Sequence, residues 1–139
     1  MIMERVRQLR QERGNDNLYP AIISTIPQFR VTRCLQGSFE LDESHVHQWF
    51  DDAVTLAGDW RRSGPVFAVP YRTLLADSRS NLLVAGRCSS STRAGAEVTR
   101  AIPVCASTGE AAGTAAAMAA TSGTAGGADL RRLDIAALQ

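Results

Sequence analysis

Apolar and polar residues change period several times along this chain, and each change predicts an element. In residues 3–13, Val6, Leu9 and Arg10 fall at helical spacing among good helix formers. Gly14 to Asn17 then breaks the run, which predicts a first helix. Residues 18–26 are apolar and β-branched but contain Pro20, so they read as an extended segment or an edge strand. Beyond Pro27, Phe29, Val31 and Arg33 alternate with Arg30 and Thr32, and Gly37 separates them from Ser38-Phe-Glu-Leu41; this predicts a β-hairpin. Asp42 or Ser44 is a suitable N-cap for a helix through His47, Trp49, Phe50 and Val54, with Gly58 stopping it.

The second half is patterned differently. Residues 59–71 hold Gly64, Pro65 and Pro70 and read as a loop around the short apolar run 66–69. A short segment, 71–75, ends in the polar turn 77–80. Residues 82–85 read as a buried strand that delivers Gly86, and 88–97 as small, polar and irregular. Residues 98–102 suit a brief strand or helix ended by Pro103. A long helix is then expected to start between Pro103 and Gly109 and run to about Ala120. Residues 123–127 are a glycine-rich break before a short amphipathic ending with Leu130, Leu133 and Leu138 on its apolar face. No internal repeat is present. The expected class is α/β, in the form of an α+β fragment.

Composition narrows the function. The chain has 139 residues and a formal charge of +1, which suits one modest domain. Arg5, Arg7, Arg10 and Arg13 are interleaved with Glu4 and Glu12, the pattern of a solvated helix face, and the mixed charge gives no reason to expect nucleic acid. Cys34, Cys88 and Cys105 are odd in number and lack C-x-x-C spacing, and no signal peptide is visible; a reducing, cytoplasmic setting with free thiols is expected. His45 and His47 lie two apart and would point to different sides of a helix, so no metal site is expected. Residues 106–128 are too weakly apolar for a membrane span.

The candidate chemistry is a strand that ends in a glycine, Asn81-Leu-Leu-Val-Ala-Gly-Arg87, followed by a helix opened by glycines, Gly109-Glu-Ala-Ala-Gly113. Such a pair presents backbone N–H groups to an anion or a polar ring. Gly109 and Gly113 share one helix face with Ala112, Ala116 and Ala120 nearby. That face suits either the close approach of a flat ligand or packing through small residues.

Pro70-Tyr-Arg-Thr-Leu-Leu75, Asn81-Leu-Leu-Val-Ala-Gly-Arg-Cys88, Arg100-Ala-Ile-Pro-Val-Cys105 and Gly109-Glu-Ala-Ala-Gly-Thr-Ala-Ala-Ala117 resemble the C-terminal region of the FAD-dependent oxidoreductase family with a glutathione-reductase-like FAD domain. Ile26-Pro-Gln-Phe-Arg-Val-Thr-Arg33 with Gly37, and Gly58-Asp-Trp-Arg-Arg with Gly64-Pro65, extend the resemblance from about Ile26 to Ala120. It implies FAD as cofactor, contacted by Gly86, Arg87, Gly109, Glu110, Ala111 and Ala112. Gly86 and Arg87 would lie by the ribityl–pyrophosphate portion. The helix N-terminus near Gly109 would face the N1/O2 edge of the isoalloxazine, stabilising negative charge there by about 1 kcal/mol.

By the same resemblance, residues 26–41 would be a strand pair returning from a substrate domain. Arg30, Arg33 and Arg100 are the substrate-side candidates, and solvated strand arginines are the alternative for the first two. The chain departs from the family at Cys34, where a second arginine is common, at Arg93, where a histidine is common, and at Glu110, where a glutamine is common. The missing histidine removes one candidate base. Cys88 and Cys105 are either buried, inert thiols or a dithiol beside the flavin. The 139 residues contain no G-x-G-x-x-G.

The resulting expectation is a C-terminal portion of a flavoenzyme that transfers hydride to FAD, inactive without an N-terminal dinucleotide-binding part. The alternative is a small α/β module that self-associates and binds no flavin. The divisions expected are 1–25, a helix and extended segment; 26–78, a substrate-domain remnant; 79–122, the C-terminal part of an FAD domain; and 123–139, a break and tail. The partner is a missing FAD-domain chain or further copies of this one, with a small-molecule substrate.

Overall fold

The computed structural model describes residues 2–23, 25–26, 30–121 and 129–139. The expected break at 123–127, and Phe29 of the expected hairpin, lie outside the described residues. The chain forms two compact units, residues 1–30 and 31–139.

In the first unit, helix α1 spans Ile2–Arg13, as its pattern predicts. Glu4 sits in its first turn and Arg10 and Arg13 in its last, the arrangement that complements the helix dipole. Gly14 follows at φ +57°, a left-handed position that a side chain resists. Arg10 Nε donates to the Leu18 carbonyl at 2.8 Å, folding the extended segment back on the helix. The arginines bond to their own helix, Arg5 to Glu12 and Arg7 to Glu4, all exposed. That is a solvated face of little energetic weight.

Among its described residues the second unit is mixed α/β: a two-stranded antiparallel sheet and three helices, α2 (Ala96–Thr99), α3 (Ile102–Thr121) and α4 (Ile135–Leu138), together with 3₁₀ turns. The sheet is the hairpin β1 (Ala53–Gly58) and β2 (Val66–Pro70), in register Ala57 to Phe67 and Gly58 to Val66, with an irregularity near Val54. Asp59 closes its turn. The Asp59 N–H donates to the Pro65 carbonyl at 3.0 Å, and its carboxylate accepts from Arg61 Nε at 2.8 Å and from the Arg61 N–H at 3.0 Å. Gly64, at φ +109°, supplies the reversal.

This hairpin replaces two expectations. Residues 30–33 and 38–41 do not pair with each other; Gly37 bridges Ala76 and Leu41 bridges Ser91 instead. The helix expected through His47 and Val54 is a single 3₁₀ turn, Glu43–His45. The Asp42 carboxylate caps it by accepting from the Ser44 N–H at 3.0 Å, and His45 Nδ1 accepts from the Asp42 N–H at 3.0 Å. His47 at φ +59° then turns the chain out of helical geometry, and its N–H donates to the Val66 carbonyl at 2.8 Å. Beyond it, Thr55, Leu56 and Ala57 pair with Val69, Ala68 and Phe67 of a run that is buried from Phe67 to Pro70.

Residues 82–85 form no strand of a sheet. Leu82 is 45% exposed, and the backbone pairing shown for the segment is to residues 74–76, through Val84 N–H to the Leu74 carbonyl at 2.9 Å and a single bridge between Leu83 and Leu75. An apolar run buries itself on two faces only when neighbours flank both of its edges, and one short neighbour is present here.

Two apolar clusters hold the unit. Leu41, Ala57, Phe67, Val69, Val98 and Val104 form one; Tyr71, Leu74, Leu75, Ala111, Ala115 and Leu130 form the other. Helix α3 serves both, through Val104 and then through Ala111 and Ala115. Leu133 and Leu138 pack on the second cluster with Leu130, the apolar face expected of the C-terminal residues, although the segment divides into a 3₁₀ turn and α4. Gly95 lies so close beneath the Leu41 carbonyl that a Cβ there would overlap its oxygen.

Candidate functional site

The glycine expected at the site is a fixed backbone feature. Gly86 is buried at φ +71°, opening the 3₁₀ turn Gly86–Cys88, and its N–H donates to Thr108 Oγ1 of α3 at 3.0 Å. Thr108 is fully buried and its hydroxyl donates to the Val104 carbonyl at 2.7 Å, so the glycine amide is tied into the helix backbone. Cys105 Sγ lies 3.4 Å from where a Gly86 Cβ would be. Sequence reading found Gly86 but missed Thr108 and Cys105 as its supports. Their spacing, i and i+3 on one helical face, was the available signal.

Beyond this turn lies a buried polar strip, Ser89, Ser90 and Ser91. Ser90 N–H donates to the Thr73 carbonyl at 2.8 Å, Ser90 Oγ accepts from the Gly37 N–H at 3.2 Å, and its carbonyl accepts from the Leu41 N–H at 3.2 Å. The segment read as irregular is therefore the strap that knits residues 37–41 to the rest. Ser89 Oγ and Thr99 Oγ1 are buried without a hydrogen-bond partner, an uncommon condition in a finished interior.

Helix α3 begins at Ile102, so Pro103 opens it rather than ending an earlier element, and Gly109 and Glu110 lie two turns inside. Proline suits the first turn because its absent N–H would have had no helical partner there. The positive end of the helix is thus at residues 102–104, not at Gly109. The four expected helix contacts also diverge. Gly109 is exposed and shares an open face with Gly113; a Cβ at either glycine would meet nothing within 4 Å. Glu110 is exposed and lines a hollow of about 260 Å³ with Val54, Ser107, Ala111, Thr114, Leu138 and Gln139. Ala111 is 7% exposed in the core, and Ala112 packs against that core.

The arginines separate too. Arg30 is exposed and ends the first unit, whereas Arg33 and Arg87 are exposed residues of the second. Arg100 is committed: its Nε donates to Glu97 at 3.0 Å and its guanidinium lies 5.3 Å from the Trp60 ring centre. That pairing holds the Glu97 carboxyl below its ordinary range. Cys88 is exposed rather than buried, while Cys105 is half-buried with its thiol directed at the Thr99 carbonyl. His47 Nε2 lies 3.2 Å from the Gly64 carbonyl, so each of the two histidines contacts backbone.

The frame is mixed α/β, with a left-handed glycine turn docked on a long helix that exposes Gly109, Gly113, Ala116 and Ala120 along with Ile102, Glu110 and Thr114. The chain belongs to the FAD dependent oxidoreductase family, whose pattern it matches over residues 3–139. FAD is the cofactor that this membership implies. Neither a curated protein nor a solved structure matches the chain. Among the described residues, no helix is long and apolar enough to cross a membrane.

The residues leave room for such a cofactor: Gly109 and Gly113 face open space on α3, and the buried Gly86 turn packs on the same helix at Cys105 and Thr108. No acidic residue stands on the Gly109–Gly113 face except Glu110, which lies at its margin.

Proposed function

We propose that this chain supplies the C-terminal, cofactor-contacting part of an FAD-dependent oxidoreductase with a glutathione-reductase-like FAD domain. A separate dinucleotide-binding part would complete it. The observation that carries this reading is the Gly86 turn pinned to α3, beside a helix face that is empty at Gly109 and Gly113. When bound, FAD would accept a hydride from a substrate carbon or a reduced carrier. The contribution of this chain is positional and electrostatic. Gly86 and Arg87 offer a backbone turn and a cation to the phosphate-bearing portion. Gly109 and Gly113 let a flat ring or its supporting backbone approach α3 closely. The first turn of α3, where Ile102 and Val104 carry amides and Pro103 has none, favours negative charge by about 1 kcal/mol.

Arg33 is the remaining substrate-side cation in the second unit, since Arg100 is neutralised by Glu97. No side chain here is assigned as a general base.

The test mixes the full chain with FAD and a separately expressed half from the same family that carries G-x-G-x-x-G. Gel filtration is followed at the visible flavin band. The reading expects flavin in the fraction that contains both chains. Free flavin eluting away from a two-chain complex would overturn it. A colourless self-assembled oligomer of this chain, indifferent to the added half, would establish the self-associating module instead; the 84% exposure of Ile102 on the same helix favours that second reading.

A further inference from the structure

Cys34 and Cys88 are far apart in sequence and adjacent in the fold. The Leu35 N–H donates to the Cys88 carbonyl at 2.8 Å. One peptide bond therefore links Cys34 to the donor, while Cys88 itself provides the acceptor. In a trans peptide the Leu35 N–H stands roughly at right angles to the line from its nitrogen to the Cys34 Cα, so standard backbone dimensions hold the two Cα atoms within about 6 Å, inside the ~4.4–6.8 Å range of disulfides.

Both backbones are held on either side. Arg93 Nη1 donates to the Val31 carbonyl at 3.5 Å and the Asp77 N–H to the Gln36 carbonyl at 3.1 Å, bracketing Cys34. Gly86 is bonded to Thr108, and Ser89 N–H returns to the Gly86 carbonyl at 3.0 Å, bracketing Cys88. Both thiols are exposed, whereas Cys105 is half-buried and turned to the Thr99 carbonyl.

We infer that Cys34 and Cys88 form a reversible disulfide when the protein meets a hydroperoxide. One thiolate attacks a peroxide oxygen; the O–O bond breaks, an alcohol or water leaves, and a sulfenic acid remains. The second thiolate attacks that sulfur, the S–S bond forms, the S–O bond breaks and water leaves. Two thiols lose two electrons and the hydroperoxide gains them. The bond staples residues 31–36 to the Gly86 turn, and it is independent of whether flavin binds there.

Trypsin separates the three cysteines. Cys34 falls in peptide 34–61, Cys88 in 88–93 and Cys105 in 101–131. The full chain, folded or in guanidinium, is treated with a stoichiometric amount of hydrogen peroxide, alkylated, digested and read by mass spectrometry. The folded monomer is expected to give the 34–61/88–93 pair as the dominant link, reversed by dithiothreitol and absent from Cys34→Ser. Cys105→Ser is expected to leave it in place. The inference is overturned by a link from Cys88 to Cys105, by separate adducts or sulfinic acids on Cys34 and Cys88, by intermolecular links only, or by the same mixture of links from folded and unfolded chain.

Discussion

Replacing Gly109 and Gly113 together by alanine is expected to stabilise the isolated chain. Both lie in the interior of a 20-residue helix, and a Cβ at either would meet nothing within 4 Å. Glycine in a helix interior costs about 0.8–1.0 kcal/mol relative to alanine, because it surrenders more backbone entropy on folding. The pair should therefore add about 2 kcal/mol. For a chain of this size that corresponds to a rise in Tm of roughly 6 °C. Thermal melts by far-ultraviolet circular dichroism on the wild type and the Gly109→Ala/Gly113→Ala variant measure it directly. A fall in Tm would refute the reasoning, because it would mean that something already packs against this face in the isolated chain.

Other perturbations probe the supports of the site. Gly95→Ala, at ordinary helical φ, forces a Cβ onto the Leu41 carbonyl and should cost about 3 kcal/mol in chemical denaturation; a loss near zero would contradict the packing described. Thr108→Val keeps the side chain's shape but leaves the buried Gly86 N–H without its acceptor, for a loss of about 1–3 kcal/mol. An unchanged denaturation midpoint would show that the Gly86 turn is held otherwise. Asp59 is held down to about 2 by hydrogen bonds from Arg61, and Asp42 to about 2 by the Ser44 backbone and the Thr92 hydroxyl. Because both folded-state values lie below the ordinary 3.8, their stabilisation is present above about pH 4 and lost as pH falls towards 2. Asp59→Asn should flatten part of that acid limb in melts taken across this range, and an identical limb would remove Asp59 from the account.

The two long helices are the most legible part of the sequence. α1 is bounded by Gly14, and α3 fell where expected except that its start lay at the early edge, because Pro103 was read as a terminator when it is equally a first-turn residue. That one ambiguity moved the positive end of α3 away from Gly109. Strand pairing was less legible. The alternation at Phe29, Val31 and Arg33 gives a pattern but no partner, while the true hairpin joins Thr55-Leu-Ala57 to the continuous buried run 67–69. A continuous run has no period to read, and the signal that diverts the chain from helix, the left-handed His47, is set by tertiary bonding to Val66. At the site, Gly86 was legible as a glycine that ends an apolar run. Thr108 was not, since a threonine inside an alanine-rich helix looks like spacing rather than an acceptor. Ala111 and Ala112 are implied as contacts by the family resemblance together with Gly109, and in the fold they turn towards the second apolar cluster, because consecutive helix residues face about 100° apart.

The central claim, that the open glycine face of α3 is turned towards FAD, is tested most directly by Gly113→Leu in the assembled two-chain complex. A Cβ at Gly113 meets nothing within 4 Å and leucine is a better helix former than glycine, so the melting temperature of the chain alone should not fall. Flavin retention by the complex, read by its visible absorbance after gel filtration, should be lost. A complex that assembles with Gly113→Leu and keeps its flavin as the wild type does would place the cofactor elsewhere and contradict the account.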